Sequence, residues 1–330
     1  MAKTKQRSGS AAQRRTQVRQ ERQERLNTEK VSPAGERKRR LRKKTNNPWP
    51  LVIGILVMCA LVIGAFLWLS NRPTGGSSTA ALNTIEHINP SVLDSVGAGS
   101  AQSTFKAIPA NANIPQGSGG KPQFLYVGAD YCPYCAAQRW AVITALGRFG
   151  TFGPISPLTS SEDSIPTFTF HKVTYTSNYV DFSAVETTDN QGNTLDTPTA
   201  AQTALMNTYD APPYTTAQAK GTIPFILIGN KQVSNGAFYD PQVLSGLSYD
   251  QINSKITDST SDVARGMLGA ANDLTAAICQ ATNNQPGNVC NDSTIQSIQT
   301  ALPKPAQASA STPQFASAGT LPDMIAPKRE

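Results

Sequence analysis

Residues 51–69, LVIGILVMCALVIGAFLWL, are 19 consecutive uncharged residues, nearly all of them apolar. Wound as a helix the run is about 28 Å long, close to the roughly 30 Å hydrocarbon core of a bilayer. No polar face interrupts it, which argues against a helix in a soluble core. A cleaved signal peptide is the rival reading, with SSTAALN as its cleavage region. Its n-region would span 47 residues, however, and the apolar run exceeds the usual h-region. The sequence therefore predicts one transmembrane helix over 48–70. Trp49 and Trp68 stand where amphipathic rings favour the headgroups.

The flanks set the orientation. Residues 1–47 carry 16 Lys and Arg against 4 Glu, whereas residues 73–330 carry 12 against 18 acidic residues. The positive-inside rule keeps the basic N-terminus in the cytoplasm and sends the remainder outside, as in a single-pass plasma-membrane protein. Large apolar residues are scarce in 1–47, so the expectation there is a disordered tail that adheres to anionic lipid. No aromatic residue precedes Trp49 to stack on bases and no nucleic-acid module is present, so no nucleic-acid partner is expected. A linker is expected at 71–81, an extracytoplasmic domain at 82–301 and a disordered Pro/Ala/Ser-rich tail at 302–330.

Within the domain, NPSVLDSVG (89–97) reads as a short helix capped by Asn89, and PQFLYVGA as a buried strand. A helix is expected from Pro133 to about Phe149, ended by Gly150. PTFTFHKVTYTSNYVDF (166–182) alternates like a strand, and 196–213 reads as a helix. GTIPFILIGNKQVSNGAFY gives a turn, a buried strand and a short partner strand. Helices are expected over 240–256, in SDVARGMLGAANDLTAAICQAT and in DSTIQSIQTAL.

VGADYCPYCAAQRW holds Cys132 and Cys135 two residues apart. Such a pair can bind a metal, lock as a structural disulfide or exchange electrons. Zinc requires about four ligands, and only His87 and His171 accompany the pair, neither at ligand spacing, so no metal is expected. The five Met residues are scattered, which gives soft-metal delivery no support. A strand running into the first Cys and a helix starting at the second favour a thiolate at Cys132, through unpaired N–H groups and the helix dipole. Cys132 would then attack and Cys135 resolve the mixed disulfide, with Pro133 and Tyr134 setting stiffness and redox poise.

Cys132-Pro133-Tyr134-Cys135 after a strand, with GTIPFILIGN some 90 residues later, resembles the thioredoxin superfamily. The longer wording GADYCPYCAAQRWAVITALGRFGTF, with PTFTF and TIPFILIGN, is most similar to the thioredoxin-like "domain of unknown function 929" family. The resemblance implies an α/β thioredoxin-like domain, a central mixed sheet flanked by helices, with extra helices at the C-terminus. It implies that Pro224 is cis and lies against the active-site cysteines, and that the Ile223 backbone pairs with an extended substrate. Thioredoxin carries a buried Asp six residues before its first Cys, where this chain has Tyr126, and Asp130 at the strand end is expected to be solvated. SNGAFYD keeps only part of the glutathione-binding turn of glutaredoxins, so no cofactor is expected.

Cys279 and Cys290 enclose the polar turn QATNNQPGNV, read as a structural disulfide between two helices, with a second redox pair as the alternative. Cys59 lies in the apolar run as a small apolar residue. The functional expectation is thiol–disulfide exchange on protein thiols or disulfides of secreted or membrane proteins, with an unidentified redox partner and the lipid bilayer as support. The rival is a non-catalytic binding module using the groove beside Pro224.

Overall fold

The computed structural model describes residues 53–54, 56–63 and 75–305. The tail expected at 1–47, all but the first four residues of the tail expected at 302–330, and most of the span expected at 48–70 fall outside these residues. The described part of that span, 53–54 and 56–63, is helical, with Leu56, Met58 and Leu61 exposed. Among the described residues no helix is long and apolar enough to cross a membrane. The chain divides into two units, Met1–Arg72 and Pro73–Glu330.

The second unit is a mixed α/β structure around a five-stranded sheet in the order β1-β9-β8-β2-β7. The strands are β1 (Lys106–Ala107), β2 (Gln123–Gly128), β7 (Asp181–Glu186), β8 (Phe225–Ile228) and β9 (Gln232–Asn235). β2 pairs in parallel with β7 and antiparallel with β8. Its continuous apolar run serves both faces. Phe124 and Tyr126 enter the larger core, and Leu125 and Val127 enter a smaller one on the opposite side. β8 alternates likewise, with Ile226 and Ile228 in the first core and Phe225 and Leu227 in the second. Burial on both faces explains why neither strand shows polar alternation.

The larger core is roofed by α1 (Gly75–Glu86), α2 (Pro90–Val96), α3 (Pro133–Gly147), α5 (Tyr249–Ile256) and α6 (Asp262–Ala281). α4 (Ala200–Tyr209) places Leu205 and Tyr209 on the smaller core. α3 is buried on every side from Cys135 to Leu146, with Gln138, Arg139 and Thr144 enclosed among its apolar residues. α6 approaches the segment after α2 closely. A Cβ on Gly99 would run into the Arg265 carbonyl, and one on Gly269 into the Ala98 carbonyl.

Several expectations need correction. The stretch read as a linker over 71–81 is helical from Gly75, because Ala81 and Ile85 one turn apart bury completely in the larger core. The single strand expected over 166–182 is three. β5 (Pro166–Thr169) pairs with β4 (Ser156–Thr159), β6 (Tyr175–Ser177) with β3 (Gly150–Phe152), and β7 joins the main sheet. A left-handed residue at Lys172 (φ 60°) turns the chain between β5 and β6. The helix expected from Asp196 begins at Ala200, because Thr199 and Gln202 form a reciprocal cap. The helix expected over 240–256 is a 3₁₀ turn, Pro241–Leu244, followed by α5, broken at Gly246 (φ 72°) and restarted by the Ser248 cap.

At the C-terminal end α6 leads into α7 (Gly287–Cys290) and α8 (Ser293–Ala301). A disulfide joins Cys279 to Cys290, both fully buried, with their Cα atoms 5.5 Å apart. Replacing both by Ala is expected to cost about 3 kcal/mol in the loop-entropy picture. Thermal denaturation should then show a midpoint lower by roughly 6–12 °C.

On α6, Asp273 is buried and no described residue hydrogen-bonds its carboxyl; desolvation raises its pKa to about 7. A carboxyl held above its unfolded value gives stability that is full below about pH 4 and is lost as pH rises through 7. Asp273→Asn should therefore raise the melting midpoint at pH 8 by about 5 °C or more while leaving it little changed at pH 4. Parallel melts at the two pH values check this.

Candidate active site

β2 delivers the chain to the top of the sheet, and Ala129–Tyr131 carry it to the start of α3. Asp130 N–H donates to the Thr188 carbonyl (2.9 Å) and Cys132 N–H to the Ala129 carbonyl (3.3 Å), which closes the turn. Cys132 is then the N-cap residue of α3, in extended conformation (φ −79°, ψ 123°), with Pro133 in the first helical turn. In place of the usual hydroxyl or carboxylate cap, its sulfur accepts the Cys135 N–H at 3.2 Å.

This position separates the two thiols. Cys132 is 6% exposed and Cys135 fully buried, and neither is in a disulfide. The Cys135 thiol hydrogen-bonds to the Cys132 sulfur and draws the Cys132 pKa below its ordinary value. This outweighs burial, with help from the Cys135 N–H, the Arg139 charge and the Tyr134 N–H. Burial pushes Cys135 well above its ordinary value, and donating its proton to Cys132 pushes it further. One thiol is set to ionise and the other to keep its proton.

The Ile223–Pro224 peptide is cis, and Ile223 packs on the cluster of Ala129, Cys132 and Cys135. The Ile223 N–H and C=O form no hydrogen bond with any described residue. The loop that reaches Ile223 is tied down behind it. Gly221 N–H donates to the Asp210 carbonyl (3.2 Å), and the Asn235 amide on β9 donates to the Asp210 carboxyl. Tyr134 is 54% exposed and overhangs a groove of about 750 Å³ lined by Gln102, Thr104, Phe238 and Val243. Ile223, and with it the cis peptide to Pro224, is thus brought to Cys132 and Cys135, while Tyr134, next to Pro133 between the two cysteines, lines the groove. Cys279 and Cys290 lie apart, at the end of α6.

Beneath the pair sits a charged group that motif reasoning passed over. Arg139 is completely buried on α3. Its Nε and Nη2 donate to the two oxygens of Glu186 at the end of β7 (2.8 and 2.7 Å), and Nη2 also donates to the Ala129 carbonyl at 2.7 Å. Burial alone would favour loss of its proton, but the Glu186 carboxylate, by its charge and its hydrogen bonds, holds its pKa well above the ordinary value. The network continues outward. Glu186 Oε1 accepts the Phe170 N–H, and Asp196 accepts both the Glu186 N–H and His171 Nδ1 (2.7 Å). Asp130, expected to be solvated, is instead buried. It accepts Thr169 Oγ1 at 2.8 Å and stands 3.7 Å from Arg139, because β5 folds over the strand end. Desolvation raises its pKa.

The sequence did contain a signal for Arg139. It lies four residues after Cys135 and seven after Cys132, hence on their face of the helix, and it is the one charged residue between Cys132 and Gly147. Nothing comparable marks Glu186 or Asp196. Among the described residues no group of three or more His, Cys, Asp or Glu is placed to hold a metal ion.

A family model described as a domain of unknown function (DUF929) matches residues 110–280. The chain belongs to that family. The DUF929 region contains the cysteine pair, Arg139, Glu186 and Pro224, and it ends one residue beyond Cys279, so the disulfide partner Cys290 lies outside it. No curated protein and no solved structure matches the chain. The DUF929 assignment carries no activity with it.

Proposed function

We propose that this chain is a membrane-anchored, extracytoplasmic thiol–disulfide oxidoreductase whose folded domain is of thioredoxin type. The parallel β2/β7 pair spanned by α3, with the antiparallel β8/β9 hairpin entered through Pro224, supports that fold assignment. The apolar run 51–69 and the basic residues before it support the anchor and its orientation.

One observation carries the chemical reading: an N-capping Cys132 sulfur beside an Ile223 backbone whose hydrogen-bonding groups are unengaged. An extended substrate can pair with Ile223 and present a sulfur to Cys132. In the reducing direction the Cys132 thiolate attacks one sulfur of a substrate disulfide, whose bond breaks, and the leaving thiolate takes up a proton. Cys135 then loses its proton and attacks the Cys132 sulfur of the mixed disulfide. A Cys132–Cys135 disulfide forms and the second substrate thiol departs. Two electrons and two protons have passed to the substrate; the oxidising direction is the reverse. A partner dithiol or disulfide restores the starting state.

A redox titration of the full-length chain in detergent, with exchange measured on insulin, tests this. The expected result is a reversible two-electron transition at Cys132/Cys135 and exchange that requires both. A pair that stays oxidised in excess dithiol, with no exchange on any protein disulfide, overturns it. The low exposure of Cys132 favours one rival, a binding module that uses the groove without exchange. That reading expects the Cys132→Ser/Cys135→Ser chain to retain its partner.

A further inference from the structure

Most charged groups inside a protein are paired and accounted for by their pairing. Arg139 is only partly so. Glu186 and the Ala129 carbonyl take its Nε and Nη2, while Nη1 is buried with no hydrogen-bond partner among the described residues. The Ala129 carbonyl that accepts Nη2 also accepts the Cys132 N–H, so a single carbonyl oxygen links the guanidinium to the Cys132 backbone. Arg139 also lies on the cysteine face of α3, anchored from behind by a carboxylate on another strand.

We infer that Arg139, fixed by Glu186, is a positioning residue that holds positive charge under Cys132 in order to favour the dithiol form, so that the preferred substrates are reduced protein dithiols. Charge balance is the reason. A disulfide carries no charge and gains nothing from the guanidinium, whereas the Cys132 thiolate exists only in the reduced pair and is attracted to it. Stabilising the reduced form makes the disulfide the stronger oxidant. The substrate dithiol then gives up two protons and two electrons and closes its own disulfide, while the Cys132–Cys135 bond breaks to the Cys132 thiolate and the Cys135 thiol, one proton staying on Cys135 and the other passing to solvent. A partner disulfide reoxidises the pair.

The other groups around Arg139 act in known directions. Glu186 on β7 and Asp130 before α3 oppose its effect. Asp196 lies one hydrogen bond beyond Glu186, and His171 one beyond Asp196. Tyr126 on β2, with its ring centroid 6.0 Å from the guanidinium carbon, and Cys135 hold their protons, since burial raises the pKa of each.

The inference rests on the exchange reading of Cys132, and the experiment separates the two. The reduced full-length chain is alkylated with iodoacetamide across pH, with labelling of Cys132 followed by peptide mass spectrometry. The potential is measured in parallel against glutathione. Arg139→Met should reduce the thiolate fraction of Cys132 at neutral pH about tenfold and make the pair less oxidising by up to about 30 mV. Arg139→Lys should restore most of both. Glu186→Gln, which removes the counter-charge, should shift the alkylation midpoint the opposite way, to lower pH. A merely structural ion pair would instead move Arg139→Met and Glu186→Gln in the same direction, and that result overturns the inference. Should Arg139→Met not fold, Arg139→Lys and Glu186→Gln still decide it. If wild type exchanges disulfides but no variant shifts the midpoint, the exchange reading stands and the role of Arg139 falls. If the midpoints shift as expected but wild type exchanges nothing, the charge effect stands and the exchange reading falls.

Discussion

Cys132→Ser is expected to lower disulfide exchange by roughly a thousandfold or more, to the uncatalysed background, because a hydroxyl at that position supplies no thiolate. Cys135→Ser should behave differently. The remaining thiol attacks once and then stalls, because nothing resolves the mixed disulfide, and the trapped adduct appears on a non-reducing gel. The asymmetry follows from burial and capping. Cys132 sits at the helix N-terminus with its pKa drawn down, while Cys135 is sealed behind it with its pKa pushed up. Brief alkylation at neutral pH should accordingly label Cys132 and spare Cys135. Equal turnover by wild type and Cys132→Ser on the same disulfide would remove exchange from consideration and leave the groove beside Tyr134 as the functional surface.

The sequence revealed those parts of the site that are local. Strand, cysteine pair and helix are contiguous, so spacing and caps were enough to place Cys132 at the start of α3 and Ile223–Pro224 before β8. Arg139 was not found, because what keeps it buried is Glu186, 47 residues away on β7. No local pattern announces that a charge will find its partner on the neighbouring strand. The run 166–182 failed for a related reason. Its alternation is genuine β patterning, but a turn at Lys172 distributes it among three sheets, and pairing choices of that kind are tertiary. The helix from Gly75 was missed because Gly, Ser and Thr have modest helix propensity, and burial of Ala81 and Ile85 overrides it.

Trp140→Ala is expected to cost about 3–5 kcal/mol, the range for removing a fully buried large aromatic residue. Trp140 is the largest of the completely buried side chains, and its ring meets Phe168 edge-on at 5.0 Å and Tyr249 at 6.0 Å. Its Nε1–H donates to the Pro166 carbonyl at 2.9 Å, so the substitution also leaves a buried acceptor unpaired. Three elements meet on this ring: α3, β5 and α5. A midpoint lower by roughly 10 °C or more should follow, and a change below about 1 kcal/mol would mean the core closes without the ring. Trp140→Phe, which keeps most of the packing and loses the N–H, should fall between. The adjacent positions then separate two kinds of effect. Trp140 and Arg139 are successive on α3, about 100° apart around its axis, one set in the apolar core and the other under the cysteines. Below its lowered melting point the Trp140→Ala chain should keep the Cys132 alkylation midpoint of wild type, because no charge near the sulfur has changed. Arg139→Lys should be the converse, with stability disturbed and the sulfur's ionisation largely retained. A shifted midpoint in folded Trp140→Ala protein would show that helix placement, rather than the Arg139 charge, governs the thiolate.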